Sequence, residues 1–326
     1  MSNRTFLVTG SMGCIGAWVL RHLVNDGATV VATDTSLDTR RPSLLLSPSE
    51  LAGIRLEHLD VTDKSQVLSV VKNRGVTHII HLAGLQVPFC RANPSLGAAV
   101  NVVGTCNIFE AARELRGQVE GLSYASSVAV FGSAFRYPKT PVADDAPRWP
   151  ETLYGVYKVA NEDAARVYWQ DWQLPSVGLR PYVVYGVARD QGMTSDISKA
   201  LLAAAGRRKY HIRFSGPVAL QHAGDVARLF IDSSVCGFRG AAACNLRHDV
   251  LEVSDFVAML AARAEAPITC EANTPLPYPA DLDDSGLRAV VGTVPHTRLE
   301  KAIDETIAAF GELLAAGRVD IGQLDA

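Results

Sequence analysis

The stretch Thr9-Gly10-Ser11-Met12-Gly13-Cys14-Ile15-Gly16 decides the fold. It follows the β-branched and apolar run at residues 5–9 and opens an amphipathic stretch at 13–25. Glycines at such a junction permit a tight strand-to-helix turn. They also let the backbone approach a pyrophosphate, which the unpaired N–H groups of the helix N-terminus attract. Alone, the turn could be no more than a strand–helix junction. Asp34 adds to it. It ends the second strand candidate, about 20 residues on, where a carboxylate accepts from a ribose 2′-OH. The same carboxylate repels a 2′-phosphate, so NAD is favoured over NADP, a preference that the nearby Arg40 and Arg41 weaken.

Outward from this turn, β-branched runs alternate with helical patterns. Strands are expected at 5–9, 29–33, 54–58, 78–81, 121–125 and 176–179, and helices at 13–25, 64–73, 96–115 and 154–172. Asp63 suits the N-cap of the helix at 64–73, and Gly27 the stop of the first helix. Six strands joined by helical crossovers imply an α/β fold, a doubly wound parallel Rossmann sheet. Past residue 186, glycine, proline and short segments dominate, with helical stretches near 194–206, 224–235, 253–265 and 296–315. The three prolines in 273–279 call for an extended loop. The expected division is a dinucleotide-binding domain at 1–186, with a return near 222–247, and a smaller, irregular substrate domain at 187–326.

Composition excludes several function classes. The 326 residues are 48% hydrophobic and 20% charged, which suits a packed globular chain and rules out a disordered one. A formal net charge of -3, with no basic run beyond Arg207-Arg208-Lys209, leaves no electrostatic grip for nucleic acid or an anionic membrane. The six cysteines form no CxxC pair and no Cys/His cluster, so no metal is expected. The polar start MSNRTFLVTG lacks the shape of a signal peptide, and no apolar run reaches the ~20 residues of a membrane span. A cytoplasmic protein with reduced thiols is expected.

Two further motifs carry chemistry. Tyr154 and Lys158 stand four residues apart, on one face of a helix. A phenol with a free pKa of ~10 is a poor base at neutral pH; a neighbouring ammonium favours the phenolate. By itself, a Tyr/Lys pair at this spacing is more often an ordinary surface pair. Ser126 and Ser127 end the fifth strand, and ligands of open α/β sheets bind beyond the carboxyl ends of strands. A serine there is otherwise a turn or cap residue.

The conjunction is specific. A glycine turn, an acid after strand two, a strand-end serine and a Tyr-x-x-x-Lys helix, in this order, resemble the extended short-chain dehydrogenase/reductase family, also called the NAD-dependent epimerase/dehydratase family. Asp60-Val61 resembles the family's adenine-contacting segment, and His81-Leu82-Ala83-Gly84 its H-x-A-G stretch under the cofactor. Residues 101–112 are similar to its N-V-x-G-T-x-N-x-x-E-A-A helix, Arg180-Pro181 through Tyr185-Gly186 to its R-x-x-x-x-Y-G, and 222–227 to its H-V-x-D-V-A segment. The resemblance implies that Tyr154 is the acid/base, that Lys158 holds the ribose and tunes Tyr154, and that Ser127, preferred over Ser126, orients the substrate oxygen. It implies cofactor contacts at Gly10, Met12, Gly13, Ile15, Gly16, Asp34, Asp60, Val61, Leu82, Ala83, Gly84, Asn101, Tyr154, Lys158, Pro181 and Val183. Asn101 would support a proton path or merely cap a helix.

Departures from the family pattern narrow the function. Val128 and Ala129 replace the acid that dehydratases and decarboxylases carry after the strand-end Ser/Thr. Val183 replaces the diphosphate-contacting Asn of the nucleotide-sugar epimerases, and residues 216–221 lack their phosphate-binding Arg; Arg213 or Arg207-Arg208-Lys209 could substitute. The expected function is an NAD-dependent oxidoreductase interconverting a secondary alcohol and a carbonyl on a small sugar, polyol or sugar acid. The alternatives are an epimerase with tightly bound NAD and a non-catalytic NAD-sensing protein. Gln86, Thr194, Ser195 and His222 are candidates for substrate contact, each equally a polar loop, cap or packing residue. In the resembling family, helices like those at 96–115 and 154–172 pair across a two-fold axis, which implies a homodimer.

Overall fold

The computed structural model describes residues 4–325; the polar start Met1–Asn3 lies outside them. Its main sheet holds seven strands, all parallel: β1 (Thr5–Thr9), β2 (Thr29–Asp34), β3 (Arg55–His58), β4 (His78–His81), β5 (Gly121–Ala125), β6 (Ser176–Arg180) and β10 (Ala241–Asn245). Their order is β10-β6-β5-β4-β1-β2-β3. The expected doubly wound α/β fold is thus present.

Both faces of a parallel sheet are covered by helices, so its central strands read as apolar runs rather than as polar–apolar alternation. In β1, Phe6 and Val8 point to one face and meet Leu20 and Leu23 of helix Cys14–Asn25 and Phe230 of helix Ala223–Val235. Leu7 points to the other face and joins Val67, Ile79 and Phe109. Successive side chains of a strand alternate between faces, and this alone divides the apolar material between two layers.

The chain leaves the main sheet after Arg180. β7 (Val183–Tyr185) pairs with β9 (Pro217–His222), which β11 (Asp249–Glu252) flanks on its other edge, and β8 (Tyr210–Ile212) pairs with β12 (Ile268–Cys270). A separate core gathers Ile197, Leu201, Phe214, Val218, Phe256 and Phe310. Between β9 and β11 the chain returns to the main sheet as β10, in register with β6 from Ala241 opposite Ser176.

Local chemistry sets the element ends. Asp63 caps helix Lys64–Asn73, accepting from the N–H groups of Ser65 and Gln66. Gly27, at φ +66°, ends the first helix. Residues 96–115 depart from expectation. Helix Pro94–Ala98 runs into a wider π-turn at Ala99–Val103 before helix Gly104–Glu114. Such a turn inserts an extra residue into the ladder, and Asn101 lies within it, where it caps no helix. At Gly104 a Cβ would stand 2.6 Å from Cγ2 of Val61, so only glycine lets this helix press against the segment after β3.

Candidate active site

Strand order reverses between β4 and β1, and ligands of open α/β sheets bind in the crevice at that point. A cavity of about 1100 Å³ opens there. Gly10, Met12, Gly13, Ile15, Gly16, Asp34, Asp60, Val61, Leu82, Ala83, Gly84 and Gln86, all candidates from the sequence, line it.

The glycines act through space they leave open. Gly10 has φ +66°, and a Cβ on it would stand 2.6 Å from the backbone N of Ala83. A Cβ on Gly16 would stand 2.4 Å from the carbonyl of Gly10. The turn therefore packs directly on the segment after β4, with helix Cys14–Asn25 starting behind it. Asp34 braces it: Oδ2 accepts from the N–H of Met12 (3.1 Å) and Oδ1 from that of Thr35 (2.9 Å).

A buried polar chain ties this floor to the π-turn. Thr105 Oγ1 donates to the carbonyl of Asn101 at 2.7 Å. With its hydrogen so used, it accepts from His81 Nε2 at 3.0 Å, and His81 Nδ1 accepts from Thr9 Oγ1 at 2.7 Å. This tautomer is neutral, in keeping with burial, which pushes the His81 pKa down to about 3. Asn101 donates from Nδ2 to the carbonyl of Gly97 (3.0 Å), while its Oδ1 is buried without a partner. A Cβ on Gly84 would stand 2.8 Å from that Oδ1 and 3.4 Å from Lys158 Nζ, so both polar atoms converge on one glycine.

Lys158, buried in helix Leu153–Trp172, donates from Nζ to the carbonyl of Ala125 at the end of β5 (2.8 Å). Burial lowers its pKa to about 8. Its ammonium lies 5.4 Å from the centroid of the Tyr154 ring. Ser127 lies near enough to the Tyr154 phenol to draw its pKa down, and its Oγ accepts from the N–H of Ala129 at 3.1 Å. The structure thus brings Tyr154, Lys158 and Ser127 together. The electrostatics differ from expectation. Burial pushes the Tyr154 phenol up to about 12, and the groups that draw it down are Ser127 and Arg189. Lys158 spends a hydrogen bond on Ala125 and lies over the Tyr154 ring.

Ser126 turns the other way and donates to Glu162 Oε1 at 2.5 Å. Glu162, one turn beyond Lys158, is also gripped by Arg180 and Arg148. The sequence reading did not single out this network; the order Lys158-x-x-x-Glu162, on the face that carries Lys158, was its only trace.

Other candidates stand elsewhere. Val183 is fully buried in the C-terminal core, and the carbonyl of Pro181 accepts from the N–H of Val128. His222 packs edge-on against Trp18 and Tyr185, with its pKa lowered by burial. Ser195 donates to the carbonyl of Gly192 (2.9 Å), and Thr194 accepts from Arg189 (3.4 Å). Arg213, offered as a phosphate ligand, is held by Asp196 through hydrogen bonds of 2.7 and 3.0 Å. Among the described residues no cluster of three His, Cys, Asp or Glu could hold a metal, and no helix is long and apolar enough to cross a membrane.

Known proteins resemble this chain in sequence and in fold. The chain is 32% identical over 203 residues to a UDP-glucose 4-epimerase of Mycolicibacterium smegmatis, covering 60% of this chain and 63% of that one. It spans little more than half the length of several curated relatives it matches, 54% and 58% in two of them. A partial-consensus L-threonine 3-dehydrogenase superposes with a TM-score of 0.82 at 20% identity, over 94% of this chain and 99% of the other. MoeE5, solved in complex with UDP-glucose and NAD, does so with a TM-score of 0.76 at 25% identity, over 95% and 99%. The family model described as the NAD dependent epimerase/dehydratase family matches residues 6–234, and the chain belongs to that family of enzymes.

Proposed function

We propose that this chain is an NAD-dependent oxidoreductase that interconverts a secondary alcohol and a carbonyl on a small sugar, polyol or sugar acid. The observation that carries this reading is the meeting of Tyr154, Ser127 and buried Lys158 beside a glycine-built crevice. The crevice fits a dinucleotide: the floor at Gly10, Gly16 and Gly84 has room for backbone and none for a side chain. When bound, NAD supplies the two-electron chemistry. Asp34 would receive the ribose hydroxyl and disfavour a 2′-phosphate, Asp60 and Val61 would flank the adenine, and Lys158 would hold the second ribose. Tyr154 moves the proton at the substrate oxygen, and Ser127 orients that oxygen. Asn101, with its unpartnered Oδ1, extends the polar path from Lys158.

Val128 and Ala129 are buried beside Ser127 and offer no acid for an elimination. Arg213 already pairs with Asp196 through Nε and Nη2, which offsets its charge and weakens it as a diphosphate ligand. Both observations favour a simple dehydrogenase over a dehydratase or a nucleotide-sugar epimerase. The test is a screen of underivatised sugars, polyols and sugar acids with NAD, read as NADH absorbance. Turnover of nucleotide sugars alone, without net NADH and with cofactor co-purifying, would establish the epimerase instead. We further propose a homodimer, supported by the exposed Leu96, Val103, Val156 and Val167 on the helices at 94–114 and 153–172; a monomer mass in light scattering would refute it.

A further inference from the structure

The loop after β7 carries a guanidinium that has no acidic partner. Among the described residues, the Arg189 side chain makes only a long hydrogen bond, Nη2 to Thr194 Oγ1 at 3.4 Å, and its Nε is buried with nothing to donate to. Asp190, next in the chain, is engaged elsewhere: Arg41 holds its Oδ1 from Nε at 2.8 Å. The loop bends sharply at Gly192, with φ +101°. A Cβ there would stand 2.6 Å from Gln86 Oε1 and 3.0 Å from Arg189 Nη2. The bend therefore brings the amide of Gln86, from the segment past β4, to the edge of the guanidinium. Gln86 and Arg189 both line the cavity that contains the glycine turn. The charge of Arg189 also reaches the Tyr154 phenol and opposes the upward pull of burial on it.

A partly buried guanidinium with donors to spare is costly unless an anion completes it. Its planar fork suits an oxyanion. Two anions come near: the pyrophosphate of the dinucleotide and an acidic group of the substrate. The pyrophosphate has its own site in the backbone of the glycine turn and the N-terminus of helix Cys14–Asn25. Arg189, Thr194 and Gln86 belong instead to loops past β4 and β7, and the guanidinium stands between the two sites, acting both on the Cys14 thiol of the glycine turn and on the phenol that handles the substrate oxygen. We propose that Arg189, flanked by Thr194 and Gln86, receives a carboxylate of the substrate, which makes the substrate a hydroxy acid such as a sugar acid rather than a neutral polyol. This inference rests on the dehydrogenase reading above.

Paired probes test it: D-gluconate against D-glucitol, and glycerate against glycerol, each titrated calorimetrically into the NADH-loaded full chain. The expected result is that each acid binds at least about tenfold more tightly than its neutral partner. In Arg189→Ala, acid binding falls roughly 10- to 100-fold while NADH affinity is unchanged. Arg189→Lys, which keeps the charge and loses the fork, falls between; circular dichroism establishes that the variants are folded. Acids that bind no better than their neutral partners, including no binding by either, overturn the proposal. So does an Arg189→Ala variant that loses NADH affinity and keeps acid affinity, because Arg189 would then serve the pyrophosphate. A wild-type chain that binds no NADH defeats the dehydrogenase reading itself, a failure visible before any acid is added.

Discussion

Arg180 grips Glu162 through two hydrogen bonds, Nε to Oε1 and Nη2 to Oε2, each 2.8 Å. Both side chains are almost wholly buried, at 3% and 2% exposure. The pair joins the end of β6 to the helix that carries Tyr154 and Lys158, and Ser126 and Arg148 complete it. A buried pair of this kind adds little over an apolar substitute, but breaking it strands a charge. Glu162→Ala leaves Arg180 only the more distant Asp144 carboxylate, at 4.0 Å, and should cost about 3 kcal/mol of stability, measured by urea denaturation. A loss below ~1 kcal/mol would show that water or another group replaces the carboxylate.

Lys158 gives a pH-dependent signature. Its folded pKa, about 8, lies below its ordinary value of 10.5, so the folded chain binds fewer protons than the unfolded one between these values. Stability from this group is therefore lowest below pH 8 and rises with pH, at most ~1.4 kcal/mol per pH unit. Tyr154 works in the opposite direction only above its ordinary value of 10, because its folded pKa is raised to about 12. Between pH 8 and 9.5 the wild type should gain stability relative to Lys158→Met. Parallel stability curves for the two proteins would contradict the lowered pKa.

Tyr154→Phe removes the proton-transferring oxygen and little else. Turnover on the substrate found by screening should fall by ~10²–10⁴-fold, with NADH affinity within a factor of about two. Unchanged turnover would show that Tyr154 is not the acid/base.

Gly10→Ala forces a Cβ to 2.6 Å from the backbone of Ala83 at φ +66°. Backbone atoms cannot swing aside, and the left-handed conformation adds ~1 kcal/mol or more of strain. The variant should lose stability and NADH affinity together, as thermal melts with and without cofactor would record. Gly27→Ala is the control. It shares φ +66° but has nothing within 4 Å, so it should lose stability alone.

Asp34→Ala tests cofactor choice. With the carboxylate gone, the preference for NADH over NADPH should narrow by about tenfold in fluorescence titrations, as expected for removing one charge repulsion at close range. The nearby cations are tied to other partners: Arg40 pairs with Asp38 on the surface, and Arg41 is drawn to Asp190 and the carbonyl of Met12. A complete reversal of preference is therefore not expected.

Much of the frame was legible in residue order. The β1 turn at Gly10–Gly16, the apolar runs of a sheet buried on both faces, the cap at Asp63 and the stop at Gly27 are local choices. Each follows from backbone sterics or from a side chain reaching its own neighbours. The Tyr154/Lys158 spacing is local too, because 3.6 residues per turn put both on one helical face.

What residue order could not decide depended on groups that meet from distant parts of the chain. Ser126 and Ser127 are adjacent and chemically identical; Glu162, 36 residues away, claims one and leaves the other beside Tyr154. Asp190 pairs with Arg41, across 149 residues, and leaves its own neighbour Arg189 open. The phenol of Tyr154 was expected to be eased by its lysine, yet burial, set by the whole packed site, outweighs that neighbour. Local propensity and periodicity are written residue by residue; desolvation and partner choice exist only once the chain has closed on itself.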